Sequence, residues 1–143
     1  MTDKAILVGY DGSENAKRAL EKAIALTAKE KESQLRIVVV ADTKGHDIVL
    51  PDSTGTTRSN MLQAAKNLLA DATYLAKQEG IGDVYGSVEE DQPADMILTL
   101  ASEYKVGLIV VGRRGVRGLQ KFLMGSVSSA VMDHAKCDVM VIR

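Results

Sequence analysis

The sequence predicts an α/β fold, an open five-stranded parallel sheet covered by helices, and three observations lead there. Short β-branched runs alternate with longer stretches whose apolar residues recur every three or four positions, as when each strand returns through a helix to a parallel neighbour. The runs Ala5-Ile6-Leu7-Val8 and Val106-Gly107-Leu108-Ile109-Val110-Val111 have almost no polar residue, which suits strands buried on both faces. Glycine follows each run immediately, at Gly9 and Gly112, where a strand must turn sharply into a loop.

The first strand, 5–8, ends in Gly9-Tyr10-Asp11-Gly12-Ser13, and Ser13 is placed to cap a helix with Ala16, Ala19, Leu20, Ala23 and Ile24 on one stripe. A second strand covers Leu35 to Ala41. From Asp42 to about Thr57 the chain has Gly45, Pro51, Gly55 and little periodicity, and loops of that length in compact domains are usually functional or mobile. A long helix follows from Arg58 to Gln78, with Met61, Ala65, Leu68, Ala72 and Leu75 on its inner face and Gly80 as its stop. The third strand spans Asp83 to Val88. Pro93 suits the first turn of the next helix, whose Ile97, Leu98, Ala101 and Tyr104 are expected to face inward. The fourth strand is Leu108 to Val111; Val127, Ala130, Val131 and His134 mark the last helix; Val139 to Ile142 form the fifth strand.

At 143 residues, without a linker, repeat or low-complexity segment, the chain reads as one domain, and a single Phe with no Trp leaves an aliphatic core. A formal charge of -1, with basic residues spread along the chain, argues against nucleic acid as a partner. No signal-peptide pattern opens the chain and no run approaches the roughly 18 apolar residues of a membrane span, so a soluble, cytoplasmic protein is expected. One cysteine and two distant histidines, His46 and His134, assemble no zinc site, and Cys137 reads as an inert thiol. Met61, Met96 and Met132 are expected to fill core gaps, with Met124 beside the pocket. Glu89-Glu90-Asp91 precedes a helix and is expected to favour its positive end.

The chemistry concentrates in Gly112-Arg113-Arg114-Gly115, followed after nine residues by Gly125-Ser126-Val127-Ser128. Glycines after a buried strand let an anion approach the backbone, and a helix start offers N–H groups and partial positive charge. Arg113, Arg114, Arg117 and Lys121 are candidates for a phosphate-attracting rim or a solvated face. Neither Gly-x-Gly-x-x-Gly nor Gly-x4-Gly-Lys-Ser/Thr occurs, so dinucleotide and P-loop readings lose support. Ligands of parallel sheets bind beyond strand carboxyl ends at a switch in strand order. Asp11 and Gly112 both lie at such ends, and their loops share one crevice if strands one and four are neighbours, which spacing alone leaves open.

Val8-Gly9-Tyr10-Asp11-Gly12-Ser13, Gln92-Pro93-Ala94-Asp95, the Gly-x2-Gly-x9-Gly-Ser pattern and the end of the chain from Ala135 to Ile142 together resemble the universal stress proteins of the nucleotide-binding kind. The resemblance covers essentially the whole chain. It implies strand order 3-2-1-4-5 with helices on both faces, and ATP or a related adenine nucleotide in the crevice, possibly with Mg²⁺. It places Tyr10 and Asp11 near ribose or base and Val40 beside the base. Val111, Gly112, Arg113, Arg114 and Gly115 would lie along ribose and phosphates, while Met124, Gly125, Ser126, Val127 and Ser128 would hold phosphate. Tyr10 departs from the smaller residues common in the family, to stack on a base or to crowd it, and Asp138 stands where Pro is frequent. The resemblance also implies a homodimer through the strand Val139 to Ile142.

Phosphoryl transfer needs a positioned nucleophile, a base and usually metal ligands, and beyond Asp11, Ser126 and Ser128 no such set stands out. The sequence therefore favours a nucleotide-binding regulatory protein of the stress response. The alternatives are a slow Mg-dependent ATP hydrolase and a nucleotide-free interaction module whose glycines only shape turns.

Overall fold

Five strands and four helices alternate along the chain: β1 (Ala5–Gly9), α1 (Glu14–Ala28), β2 (Gln34–Ala41), α2 (Thr57–Gln78), β3 (Val84–Glu90), α3 (Pro93–Glu103), β4 (Leu108–Gly112), α4 (Ser126–His134) and β5 (Asp138–Ile142). The computed structural model describes residues 4–43, 57–113 and 125–143. His46 and most of the stretch after β2 lie outside the described residues, as do Arg114, Gly115, Arg117, Lys121 and Met124. The sheet order is β3-β2-β1-β4-β5 with every pair parallel, the order the resemblance implied. It puts β1 against β4 in the register Ile6 to Leu108, Leu7 to Ile109 and Val8 to Val110.

Strand alternation divides the core in two. Leu35, Ile37, Val39 and Ala41 of β2 join Ala16, Ala19, Leu20 and Ala23 of α1 and Ala65, Ala72 and Ala76 of α2 in one cluster, together with the ring of Tyr10. On the other face Leu7, Val38, Ile109 and Val111 pack with Ile97, Leu100 and Ala101 of α3 and Val131 of α4. The small alanines let both helices lie close to the sheet, which compensates for the shortage of aromatic volume. Ser13 caps α1 as its position suggested, its Oγ accepting from the Ala16 N–H at 3.2 Å. Gly80 closes α2 at φ +88°, with Ile81 N–H donating to Ala76 O and Gly80 N–H to Lys77 O, the paired bonds of a Schellman end. No helix among the described residues is long and apolar enough to cross a membrane.

Several side chains lie elsewhere than the sequence reading placed them. Leu75 is exposed, because the inner stripe of α2 steps four residues from Ala72 to Ala76 instead of three. Tyr104 is the C-cap of α3 and is exposed, while Leu100 takes the inward place. Met132 is also exposed, on the outer side of α4. Glu89 and Glu90 belong to β3, which runs two residues further than its apolar pattern. Glu90 accepts both Nε (2.7 Å) and Nη2 (2.8 Å) of Arg58, so it fastens the start of α2 to the end of β3. Asp91 Oδ1 accepts from the Gln92 N–H next to it, at 2.8 Å.

Gly112 ends β4 against the first turn of α1. A Cβ there would lie 2.8 Å from the Asn15 carbonyl carbon and 2.9 Å from the Ala16 nitrogen, both backbone atoms that cannot step aside without moving the helix. Gly112→Ala is expected to lower stability by about 1–3 kcal/mol, read as an earlier urea midpoint. An unchanged midpoint would show that α1 is free to shift from β4.

Candidate functional site

The adjacency of β1 and β4 creates a cleft at the carboxyl edge of the sheet, because the chain leaves these neighbouring strands towards opposite faces. A cavity of about 750 Å³ occupies it, within the usual range of about 300–1,000 Å³ for small-molecule sites. Tyr10 and Asp11 approach from the end of β1, Val40 from β2, Val111, Gly112 and Arg113 from β4, and Gly125, Ser126, Val127 and Ser128 from the start of α4. The structure thus gathers every expected site residue that it describes; Arg114, Gly115 and Met124 lie outside the described residues.

The backbone of one residue fixes the cleft's far wall. The Arg113 N–H donates to Ile142 O at 2.6 Å, and the Arg113 carbonyl accepts from the Gly125 N–H at 2.7 Å and from Ser128 Oγ at 2.7 Å. The excursion from 113 to 125 therefore begins and ends at one point. Ser128 is 1 % exposed, and its hydroxyl is directed to backbone carbonyls, including Gly125 O at 3.1 Å, which leaves the backbone N–H as its available donor. Gly125 is the N-cap of α4 without a side-chain cap, and the helical ladder opens with Ser129 N–H to Gly125 O. The amides of Ser126, Val127 and Ser128 therefore lack intrahelical acceptors, as at any helix start, and these residues line the cavity.

Across the cleft, Asp11 Oδ1 accepts from the Ser13 N–H at 2.9 Å, bracing the β1–α1 turn with its carboxylate at the cavity wall. The Tyr10 ring is packed into the α1–α2 core, and its N–H bonds Val38 O at 2.9 Å. It forms wall and does not stand free in the cavity. Burial, with smaller contributions from Asp71, Asp11 and Glu14, raises the phenol above its usual 10.0. Cys137 is half-buried, and burial together with Asp138 pushes its thiol up, in keeping with an inert thiol. No cluster of three metal-ligating side chains occurs among the described residues.

Sequence reasoning missed the contribution of α3. Gln92, Pro93, Ala94, Asp95 and Ile97 line the cavity, with Val38 and Met61. The signal was available: Pro93 marks a third helix start after a strand carboxyl end, on the same sheet edge as the starts of α1 and α4.

Comparison with known proteins matches residues 3–143 to the universal stress protein family. The chain belongs to that family. Putative universal stress proteins of Staphylococcus haemolyticus and of Staphylococcus aureus strain USA300 are each 34% identical over 145 residues, covering 100% of this chain and 86% of theirs. Among solved structures, a hypothetical protein studied as a test case of structural genomics superposes with a TM-score of 0.84 at 24% identity, over 99% of this chain and 96% of that one. The universal stress protein of Archaeoglobus fulgidus in complex with dAMP gives a TM-score of 0.73 at 26% identity, each chain covered completely. A universal stress protein in complex with cAMP also gives 0.73 at 26% identity, over 97% and 96% of the two chains.

Two measurements check this geometry in the universal stress protein fold. Ser128→Ala removes one of two donors to a buried carbonyl and should cost about 1 kcal/mol in urea unfolding, whereas Ser126→Ala, at an exposed position, should cost nothing measurable; equal midpoints for both variants would reject the clamp. Tyr10 binds its proton more tightly folded than unfolded. Its contribution to stability is therefore complete below about pH 10 and lost as pH rises from the usual 10.0 through the higher folded value. Tyr10→Phe should flatten the fall of stability above pH 10, and an unaltered slope would place that loss elsewhere.

Proposed function

We propose that this universal stress protein binds an adenine nucleotide, with ATP as the leading candidate, in the cleft between β1 and β4, and that occupancy serves as a regulatory signal in a stress response. The carrying observation is the convergence of the expected residues on one cavity of about 750 Å³ with three uncapped amides of α4 at its wall. The dAMP and cAMP complexes of relatives at 26% identity support an adenine ligand. The wall is also graded in character. The α4 start has no acidic residue in its first turn and suits phosphate. The β2 side presents Val38 and Val40, apolar surface for a base. Asp11 stands between them and suits ribose hydroxyls.

Binding without rapid turnover fits the side chains best. Asp11 and Ser128, two of the polar side chains at the cavity wall, are engaged in holding backbone in place. A cytoplasmic location without a nucleic-acid partner accompanies this reading. Self-association through β5 does so as well, since Asp138–Ile142 is the outer strand on that side of the sheet and an apolar edge invites pairing.

Mass spectrometry of small molecules released by denaturing the purified protein is expected to find adenine nucleotide, and calorimetry with ATP, ADP and AMP, with and without Mg²⁺, to give saturable binding. Val40→Arg should weaken it at least tenfold by filling the base side of the cavity. Absence of co-purified nucleotide together with no binding heat at several temperatures would reject the proposal in favour of an interaction module. For the dimer, Val141→Lys is expected to give monomer in light scattering with the circular dichroism spectrum preserved; a folded variant that remains dimeric would exclude β5 as the interface.

A further inference from the structure

A second cavity, of about 240 Å³, lies on the α3 face of the sheet, below the nucleotide cleft and separated from it by Val38, which lines both. It exists because α3 crosses over β1 and β2 and leaves the β3 side of that face partly open: Tyr85 is 45% and Tyr104 41% exposed. The strand alternation that sends Leu35 and Ile37 to the α1–α2 core sends Arg36 into this opening. Leu7, Val38 and Leu100 make its walls apolar, Ser87 adds a hydroxyl, and Arg36 is the one charged side chain among the described residues around it.

Arg36 is held but not satisfied. Its guanidinium carbon lies 3.7 Å from the centroid of the Tyr104 ring and 4.8 Å from that of Tyr85, so aromatic faces stabilise the cation. They offer no acceptor for its N–H groups. Nε is buried and has no hydrogen-bond partner, and no carboxylate pairs with Arg36 among the described residues. Buried polar groups are nearly always bonded, and an exception calls for a ligand or a role. The rings occupy guanidinium faces and leave its in-plane N–H fork, whose geometry matches the two oxygens of a carboxylate. One cation among neutral walls balances one negative charge, whereas a phosphate dianion would bring a second, uncompensated one. The volume is below the usual range of about 300–1,000 Å³, so the ligand is small, and the leucine walls suit an apolar body.

We propose that Arg36, Tyr85 and Tyr104 form a second binding site, apart from the nucleotide cleft, that takes a small organic monocarboxylate. The carboxylate accepts from Nη–H and, after a small shift of the groups that bury it, from Nε–H, and the hydrocarbon part lies against Leu7, Val38 and Leu100. The tyrosines keep the guanidinium in place before the ligand arrives, so little side-chain freedom is lost on binding.

Benzoate is the probe, titrated into the nucleotide-free protein while NMR follows the Arg36 Nε–Hε signal and the rings of Tyr85 and Tyr104. The signal is assigned by its loss in Arg36→Lys. The expected result is a saturable shift of all three, with benzoate affinity at least tenfold weaker in Arg36→Met and in Arg36→Lys, read from the rings. Arg36→Lys keeps the charge and the aliphatic stem, so it serves if the methionine variant does not fold. Inorganic phosphate should bind at least tenfold more weakly than benzoate. A linear, non-saturating response, a stationary Nε–Hε signal, or undiminished affinity in the folded variants would overturn the site, and phosphate binding as tight as benzoate would overturn the monocarboxylate assignment. The titration contains no nucleotide, so its failure leaves the proposed function standing.

Discussion

The backbone of Arg113 is the joint on which the cleft depends. Its N–H reaches Ile142 at the end of β5, and its carbonyl receives both Gly125 N–H and Ser128 Oγ from α4. The end of β4, the last strand and the start of the last helix are thereby fixed at a single residue. This matters at a switch in strand order, where the sheet's own ladder has just ended. With the carbonyl doubly bonded inside the protein, the first-turn amides of α4 have no acceptor among the described residues and line the cavity.

The opposite wall is set by contact instead of hydrogen bonding. Gly112 allows the backbone of Asn15 and Ala16 to approach within a distance that any Cβ would forbid, so the start of α1 lies directly over the end of β4. Asp11, bound to Ser13 N–H, then fixes the turn that leads into the helix. A glycine that reads in the sequence as room for phosphate is thus required for helix packing, at a position both at the cavity wall and beneath α1.

The sequence displays this architecture where a residue's role depends on near neighbours. Ser13 as a cap, Gly80 as a helix stop and the apolar run of β4 each announce themselves within a few positions, and the glycine pattern marks both ends of the Arg113 joint. What escapes it depends on phase and on distant partners. Tyr104 looks like an inner-face residue by spacing, but at the helix end it meets Arg36, a residue from β2. Glu90 looks like a helix-terminus charge and is instead claimed by Arg58. Leu75 and Ala76 compete for one inner position, and the smaller residue occupies it because α2 packs close to the sheet. The share of α3 in the cavity was missed for another reason: Ala94 and Ile97 are ordinary core residues by type, and the helix start at Pro93 on the ligand edge carries no glycine pattern to single it out.

Charge along the cavity wall follows a gradient that the fold itself generates. Of the four helices that begin at this edge, α1, α3 and α4 start at the cavity wall, each bringing the partial positive charge of a helix start, about half an elementary charge. Two of them carry acid there: Glu14 lies in the first turn of α1 and Asp95 in that of α3, with Asp11 and Asp42 close by at strand ends. Of these three, only α4 begins without an acidic residue or a side-chain cap, and Arg113 stands beside it at the cavity wall. An anion entering the cleft therefore meets opposition on the α1 and α3 sides and uncompensated dipole on the α4 side. A molecule with one anionic and one neutral end is oriented by that difference before any specific hydrogen bond forms, its neutral end falling against Val38 and Val40. The distribution of four acidic side chains thus distinguishes three otherwise similar helix starts at the cavity wall.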